Sequence, residues 1–210
     1  MEVVALTVST SLLSTLYSVT PQFIHQWNYN SAASYTPLPK NVNKYFFRQD
    51  NSYPSTVVNV FDINGTLLYS IERPGQTSTK WVMFVAVSRT QVATIDIGVF
   101  NWNINYLQKA AVQRQVLHGW LVNKFSLNDG TSYQWTRGTR LLERVINEGG
   151  GHEEVHQRIA QVNLLRRFRY DWELIVDQSF DPEMAICTAF LASKTIWSQA
   201  TSVSAPNMAV

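Results

Sequence analysis

The sequence predicts a mainly β protein: an antiparallel closed β-barrel of about 10–12 strands around a buried, hydrophobic C-terminal α-helix. Three observations support this fold class. Runs of β-branched and aromatic residues fill residues 55–176, turn sequences containing Gly join them in pairs, and one long apolar run occupies residues 181–199. The composition agrees, because 12% of the 210 residues are aromatic and aromatic side chains favour strands.

The apolar run is typical of a buried helix over residues 182–198. Asp181 is a suitable N-cap, and Pro182 suits the first helical position, where a missing N–H costs nothing. The apolar side chains that follow point in every direction, so the helix has no polar face to expose. The uncharged stretch, residues 184–193, is too short for a membrane span, which needs about 20 residues. We therefore expect a core helix and no transmembrane segment.

Three hairpins are predicted before the helix. Asn64-Gly65 separates the β-rich residues 56–63 and 66–71, and such a pair predicts a tight turn with positive φ at both positions. Further turns near residues 88–90 and 128–130 join 80–87 to 91–100 and 120–127 to 131–135. Residues 159–168 and 172–176 give the last two strands, while residues 140–146 fit either a strand or a short helix.

The chain is expected to form one domain. Residues 55–199 would hold the barrel, residues 1–54 an N-terminal arm and edge strands of the same domain, and residues 200–210 a disordered tail. Cys187 is the only cysteine, which suits a reducing, cytoplasmic compartment. The net charge of +2 is too small to argue for a nucleic-acid partner.

This order of elements resembles the tubby C-terminal-like superfamily, which includes tubby domains, LURP-one-related proteins and phospholipid scramblases. It also resembles fungal proteins of unassigned function that share the barrel. The likeness is carried by the hairpins at residues 60–74, 81–97 and 124–138 and by the end at residues 172–194. It implies a barrel around a hydrophobic helix, with no common enzymatic activity and no cofactor. Tubby domains bind phosphoinositides through basic residues, whereas the cysteine-rich features of scramblases have no counterpart here.

The candidate headgroup-binding residues are arginines. Arg166, Arg167 and Arg169 form one cluster, and Arg137 and Arg140 form a weaker second one. A basic patch would attract anionic membrane lipids and hold the protein peripherally at a membrane. The simpler interpretation, a solvated strand pair whose charges Asp171 and Glu173 balance, is favoured for the first cluster. The expected function is accordingly that of a non-enzymatic module for membrane lipids, phosphoinositides in particular, or for a protein partner.

Two alternatives stay open. The string from His152 to His156 matches the H-E-x-x-H pattern, in which two histidines one helical turn apart hold zinc and Glu153 acts as general base. A zinc-dependent hydrolase is disfavoured because three glycines precede the string and no third ligand follows at the usual spacing. A barrel that binds a small apolar ligand in its lumen is the other alternative, and it requires that the terminal helix leave the lumen empty.

Overall fold

The computed structural model describes residues 37–50, 56–75, 77–98, 102–107, 117–118, 122–127, 129–146, 155–167 and 170–197. The predicted arm before residue 37 and the predicted tail lie outside these ranges, as do His152, Glu153 and Arg169. In the described parts the chain is mainly β, with one antiparallel sheet and a C-terminal helix, as the sequence predicts.

Twelve strands form the described sheet. They are β1 (Val42–Gln49), β2 (Val57–Phe61), β3 (Leu67–Glu72), β4 (Lys80–Val85), β5 (Gln91–Ile97), β6 (Trp102–Tyr106), β7 (Leu117–His118), β8 (Val122–Ser126), β9 (Ser132–Thr136), β10 (Leu141–Val145), β11 (His156–Arg167) and β12 (Tyr170–Asp177). The helix α1 spans Pro182–Lys194. The strand order is β6-β5-β4-β3-β2-β1-β12-β11-β10-β9-β8-β7. All three predicted hairpins are present in this order.

The turn of the first hairpin differs in type from the prediction. Gly65 has a φ of 82°, but Asn64 does not lie in the positive-φ region. The N–H of Gly65 donates to the carbonyl of Asp62 at 3.1 Å, and the N–H of Asp62 donates to the carbonyl of Thr66 at 2.9 Å. This is a three-residue loop with a left-handed glycine, a common hairpin connection. Asp62 stabilises it because its Oδ1 also accepts the N–H groups of Asn64 and Thr66.

β1 corrects the prediction for the N-terminal region. Residues 1–54 were expected to give edge strands, yet β1 lies between β2 and β12 in the sheet interior. Its buried side chains Tyr45 and Phe47 alternate with half-buried Lys44 and Phe46 and exposed Arg48, and the Phe47 ring stacks on Trp172 of β12. The sequence suggested a short strand at residues 45–47, but the interior position of β1 was not predicted because its partner β12 is distant in sequence and leaves no local signal.

The helix is a core element, as predicted. Asp181 caps it, since its Oδ1 accepts the N–H groups of Glu183 at 3.0 Å and Met184 at 3.2 Å. Every residue of 184–192 is buried. The helix ends at Lys194 rather than at residue 198, and the Thr195 hydroxyl bonds back to the carbonyl of Leu191 at 2.7 Å. No helix in the described ranges is both long and apolar enough to cross a membrane.

The sheet wraps around α1. On one side the sulfur atom of Cys187 lies 3.5 Å from the sulfur atom of Met83 in β4. On the other side Asn123 of β8 donates to Thr195 at 3.1 Å. Because β4 and β8 lie near opposite ends of the strand order, the sheet must curve to bring both to one helix. No backbone hydrogen bond joins β6 to β7 among the described residues, so these residues do not show the predicted closed barrel.

Candidate functional site

The antiparallel register fixes which loops share an end of the wrapped sheet. Gln49 at the end of β1 pairs with Val58 near the start of β2, and Arg167 pairs with Tyr170 where β11 turns into β12. The last turn of α1 reaches the same end, since Lys194 contacts Gln49 there. We call this end the C-terminal rim: the end of β1, the β3–β4 turn, the β9–β10 turn, the β11–β12 connection and the end of α1.

The described members of both arginine clusters singled out in the sequence belong to this rim. Arg137 and Arg140 lie in the β9–β10 turn, and the N–H of Val162 in β11 donates to the carbonyl of Arg140 at 3.0 Å. Arg166 and Arg167 end β11, and their side chains lie outside what the structure describes, as does all of Arg169. Two candidates that are separate in sequence therefore come to one end of the fold through the pairing of β10 with β11.

A cavity of about 260 Å³ opens at the C-terminal rim. Its apolar walls come from β2, β11, β12 and α1, and three of its lining residues, Arg140, Asp171 and Lys194, are charged. Ligand pockets of roughly 300–1,000 Å³ with mostly apolar walls and a few polar groups are typical, so this cavity lies near the small end of that range.

Arg140 has two unusual features within this cavity. Its φ of 53° lies in the left-handed region, which costs an L residue about 1–2 kcal/mol. Its Nε is buried without a hydrogen-bond partner. The conformation is set by the turn, because the N–H of Arg140 donates to the carbonyl of Thr136 at 3.1 Å. Arg140 therefore combines a strained backbone with a buried, unsatisfied nitrogen in the wall of the cavity.

Lys194 is the second cation of the cavity. Burial lowers the pKa of its ammonium group from the ordinary 10.5, while nearby Asp171 acts in the opposite direction. The Nζ atom donates to Oε1 of Gln49 at 3.1 Å and lies 5.5 Å from the ring centres of Trp81 and Phe190. The C-terminal end of a helix favours a positive charge, so Lys194 is held at the cavity by several contacts.

Asp171 supplies the negative charge of the cavity. Its Oδ2 accepts the backbone N–H of Gln49 at 2.6 Å, which fixes the carboxylate between β1 and β12. The sequence suggested Asp171 only as a solvated counter-charge for the arginines of β11. The site instead contains two cations and one carboxylate, together with an apolar wall.

Aromatic rings form a rigid part of that wall. The Trp172 ring stacks on Phe47 with centroids 3.5 Å apart and meets Trp197 edge-on at 6.5 Å. The Trp197 ring in turn meets Trp135 at 5.4 Å, and its indole N–H donates to the carbonyl of Thr136 at 3.3 Å. These contacts hold the Trp172 and Trp197 rings in fixed positions in the wall of the cavity.

The histidine string, which the sequence offers only as a disfavoured zinc alternative, does not form a helix at His156. His156 is the first residue of β11, so it cannot share a helical face with His152. It is buried, and its Nδ1 lies 3.0 Å from Nε2 of Gln134 and 3.3 Å from Oε2 of Glu143. Within the described ranges, no three His, Cys, Asp or Glu residues come together as metal ligands would.

Fold and site together define a mainly β chain wrapped around its own C-terminal helix, with a cationic, aromatic-walled cavity at one rim. No protein-family model matches the chain. No curated protein matches it either. Among solved structures, it is similar to the X-ray structure of a protein from Arabidopsis thaliana, AT5G01750, with a TM-score of 0.48 and 13% identity over 73% of this chain and 91% of that one. The fold described above rests on the strand order and register of this chain alone.

Proposed function

We propose that the protein is a non-enzymatic, tubby-like barrel that binds anionic membrane lipids, phosphoinositides among them, through its C-terminal rim. It acts in the cytoplasm, peripherally at a membrane. The observation that carries this proposal is Arg140, which has a strained backbone and a buried, unpartnered Nε and lines the same cavity as Lys194. A lipid phosphate would supply the acceptor that this guanidinium lacks.

Further basic side chains extend the cationic surface beyond the cavity. Arg48, Arg73, Lys80 and Arg137 all lie at or next to the strand ends that form the C-terminal rim. Each basic residue near an anionic bilayer contributes about 1 kcal/mol, so several together give membrane binding that weakens as salt rises. These cations lie at the same end of the sheet as the strained arginine.

The arrangement suits binding rather than catalysis. Asp171 is engaged by the N–H of Gln49, and Lys194 by the side chain of the same residue, so both hold fixed positions in the cavity wall. The alternative of an apolar ligand in the lumen finds little support, because the buried residues 184–192 of α1 take that space. The zinc-hydrolase alternative needs a helix where His156 begins a strand.

Flotation with phosphatidylcholine vesicles, with and without phosphoinositide, tests the proposal. We expect the protein to float only with the anionic vesicles and to be released by salt. The double variants Arg137→Glu with Arg140→Glu, and Arg166→Glu with Arg167→Glu, should each lose at least 10-fold in retention.

Arg144→Glu is the matched control, because Arg144 is an exposed arginine near the opposite end of β10. Retention of that variant should equal that of the wild type. Equal loss in all variants, or no retention of the wild type on anionic vesicles, would refute the proposal.

A protein partner remains the second candidate, and the opposite rim favours it. Ile63 in the β2–β3 turn is 70% exposed, and Val87 in the β4–β5 turn is 91% exposed. Exposed apolar tips on neighbouring hairpins are typical of interaction surfaces. Sedimentation of the wild type against Ile63→Ser with Val87→Ser tests the simplest case, self-association, which only the wild type should show as concentration rises.

A further inference from the structure

We infer that the cavity at the C-terminal rim binds a single monoanionic amphiphile: a carboxylate or a phosphodiester held between Arg140 and Lys194, with its apolar chain against the aromatic wall. This inference rests on the proposed function and narrows it. The rim as a whole attracts an anionic surface, whereas the cavity accepts one singly charged group with the first part of its tail.

The charges in the cavity select for a single negative charge. Arg140 and Lys194 provide two positive charges, and Asp171 provides one negative charge in the same wall. One monoanion therefore balances these three lining residues. A second negative charge would lie near the Asp171 carboxylate without a further cation among the lining residues, and like charges repel.

The donors are suited to an oxyanion. An arginine that uses Nε together with a terminal nitrogen can hold two oxygens of one carboxylate or phosphate side by side. The Nε of Arg140 has no hydrogen-bond partner, so an oxyanion that engages it would not displace an existing hydrogen bond. Lys194 adds a point charge whose burial has already disfavoured solvation, which the lowered pKa of the ammonium group reflects.

The walls are suited to a hydrocarbon chain. Val58, Val162, Leu164, Phe190 and the two tryptophans Trp172 and Trp197 line the same cavity. Leu164 is 54% exposed at the mouth, where a chain leaving the cavity would cover it. At about 260 Å³ the cavity accommodates a charged group and a few carbons, so a longer tail must extend out past the rim.

The test measures ligand binding in two ways, by calorimetry and by the fluorescence of the cavity tryptophans. The probes are decanoate for the carboxylate, dihexanoyl phosphatidylglycerol for the phosphodiester, decanol for the uncharged chain, and inositol trisphosphate for the multiply charged headgroup. We expect decanoate and the phosphatidylglycerol to bind at least 10-fold more tightly than either of the other two.

Three variants assign the binding to the cavity. Arg140→Gln should weaken decanoate at least 10-fold, and Arg144→Gln, the exposed control, should not change it. Asp171→Asn should raise the affinity for inositol trisphosphate more than that for decanoate, because it removes the repelling carboxylate. Circular dichroism verifies that each variant is folded. Equal binding of decanol and decanoate, or a preference for the trisphosphate, overturns the inference.

The two proposals fail in different ways. Flotation on anionic vesicles without binding of either soluble amphiphile would leave the membrane function standing and overturn the cavity site. Binding of decanoate without any flotation would overturn the membrane function and identify a site for free carboxylates. The phosphatidylglycerol probe distinguishes a membrane lipid from a free carboxylate as the natural ligand. Soluble phosphatidylglycerol should compete with vesicles for the protein only if the cavity binds a lipid headgroup.

Discussion

The ammonium group of Lys194 donates to the side-chain oxygen of Gln49 at 3.1 Å and ties the last turn of α1 to the end of β1. The backbone N–H of the same Gln49 donates to Asp171 at 2.6 Å. One residue at the mouth of the cavity therefore positions both a cation and a carboxylate. Its two contacts connect segments 145 and 122 residues apart, so the site exists only in the folded chain.

The first prediction concerns the pH dependence that Lys194 contributes to stability. Burial lowers its pKa in the folded protein below the ordinary 10.5, so the folded state binds the proton less tightly than the unfolded state. At neutral pH Lys194 is charged, so burying its charge lowers the free energy of unfolding by the full cost of that burial. This cost is relieved as pH rises through the lowered pKa towards 10.5.

Urea unfolding of the wild type and of Lys194→Met across this range measures the effect. The free energy of unfolding of the wild type should rise relative to that of the variant as pH increases. Other titrating groups are common to both proteins and cancel in the difference. A difference that is flat or that falls with pH would contradict the lowered pKa.

Sequence reasoning predicted part of this site and missed the rest for physical reasons. Arg140 stood out as a basic residue, but its left-handed turn was hidden because residues 140–146 fitted either a strand or a helix. In the sequence, Lys194 was interpreted only as the charge that ends the uncharged stretch of residues 184–193. Its role depends on Gln49 and Asp171, and no local pattern encodes contacts across such separations.

The fold likewise has features that could be predicted from local sequence and features that depend on distant contacts. Turn glycines such as Gly65 and Gly130, both with positive φ, mark hairpins locally, and the helix lacks a polar face, which predicts its burial. The interior position of β1 depends on its pairing with β12, so it could not be predicted from neighbouring residues. The zinc motif, a disfavoured alternative, would need a helix at His156, where β11 begins and pairs with β10.

The second prediction separates function from stability at Arg140. Glycine has no Cβ and adopts a φ near +53° without strain, so Arg140→Gly should relieve about 1 kcal/mol, offset in part by the entropy of the unfolded chain. The unfolding free energy should not fall, while binding of decanoate should be lost. Arg140→Asn is the companion variant, since asparagine also tolerates this conformation. A large destabilisation by glycine would show that the side chain is structural.

The third prediction concerns acid sensitivity at Glu72. Hydrogen bonds from Arg89 lower the pKa of the Glu72 carboxyl from its ordinary 4.5, with Ser70 adding a smaller effect. The ion pair therefore contributes stability above pH 4.5, and this contribution is lost as pH falls through the lowered pKa. The wild type should lose its small advantage over Glu72→Gln as acid is added. If the stability advantage of the wild type over Glu72→Gln instead grew in acid, the lowered pKa of Glu72 would be wrong.

The fourth prediction uses Cys187 as a reporter of the core. Its side chain is fully buried in α1, with the Met83 sulfur 3.5 Å away. A thiol reagent such as dithiobis(nitrobenzoate) should react at a rate that follows the population of open chain, and should react fast in denaturant. Phe190→Ala removes a buried ring beside Cys187 on α1 and should cost about 3–5 kcal/mol. Labelling of that variant should therefore be much faster, whereas Arg144→Ala should label like the wild type.

The last prediction concerns the buried polar cluster of Gln134, Glu143 and His156 on three adjacent strands. Glu143 and Gln134 are each 2% exposed, and Oε2 of Glu143 accepts from Nε2 of Gln134 at 3.3 Å. Glu143→Ala would remove one acceptor from this buried cluster, and the loss of a buried hydrogen-bond partner costs about 1–3 kcal/mol. The neighbouring Arg144 is exposed, so Arg144→Ala should stay within about 0.5 kcal/mol of the wild type. Urea unfolding of both variants measures the difference, and equal stabilities would show that the cluster contributes nothing to the fold.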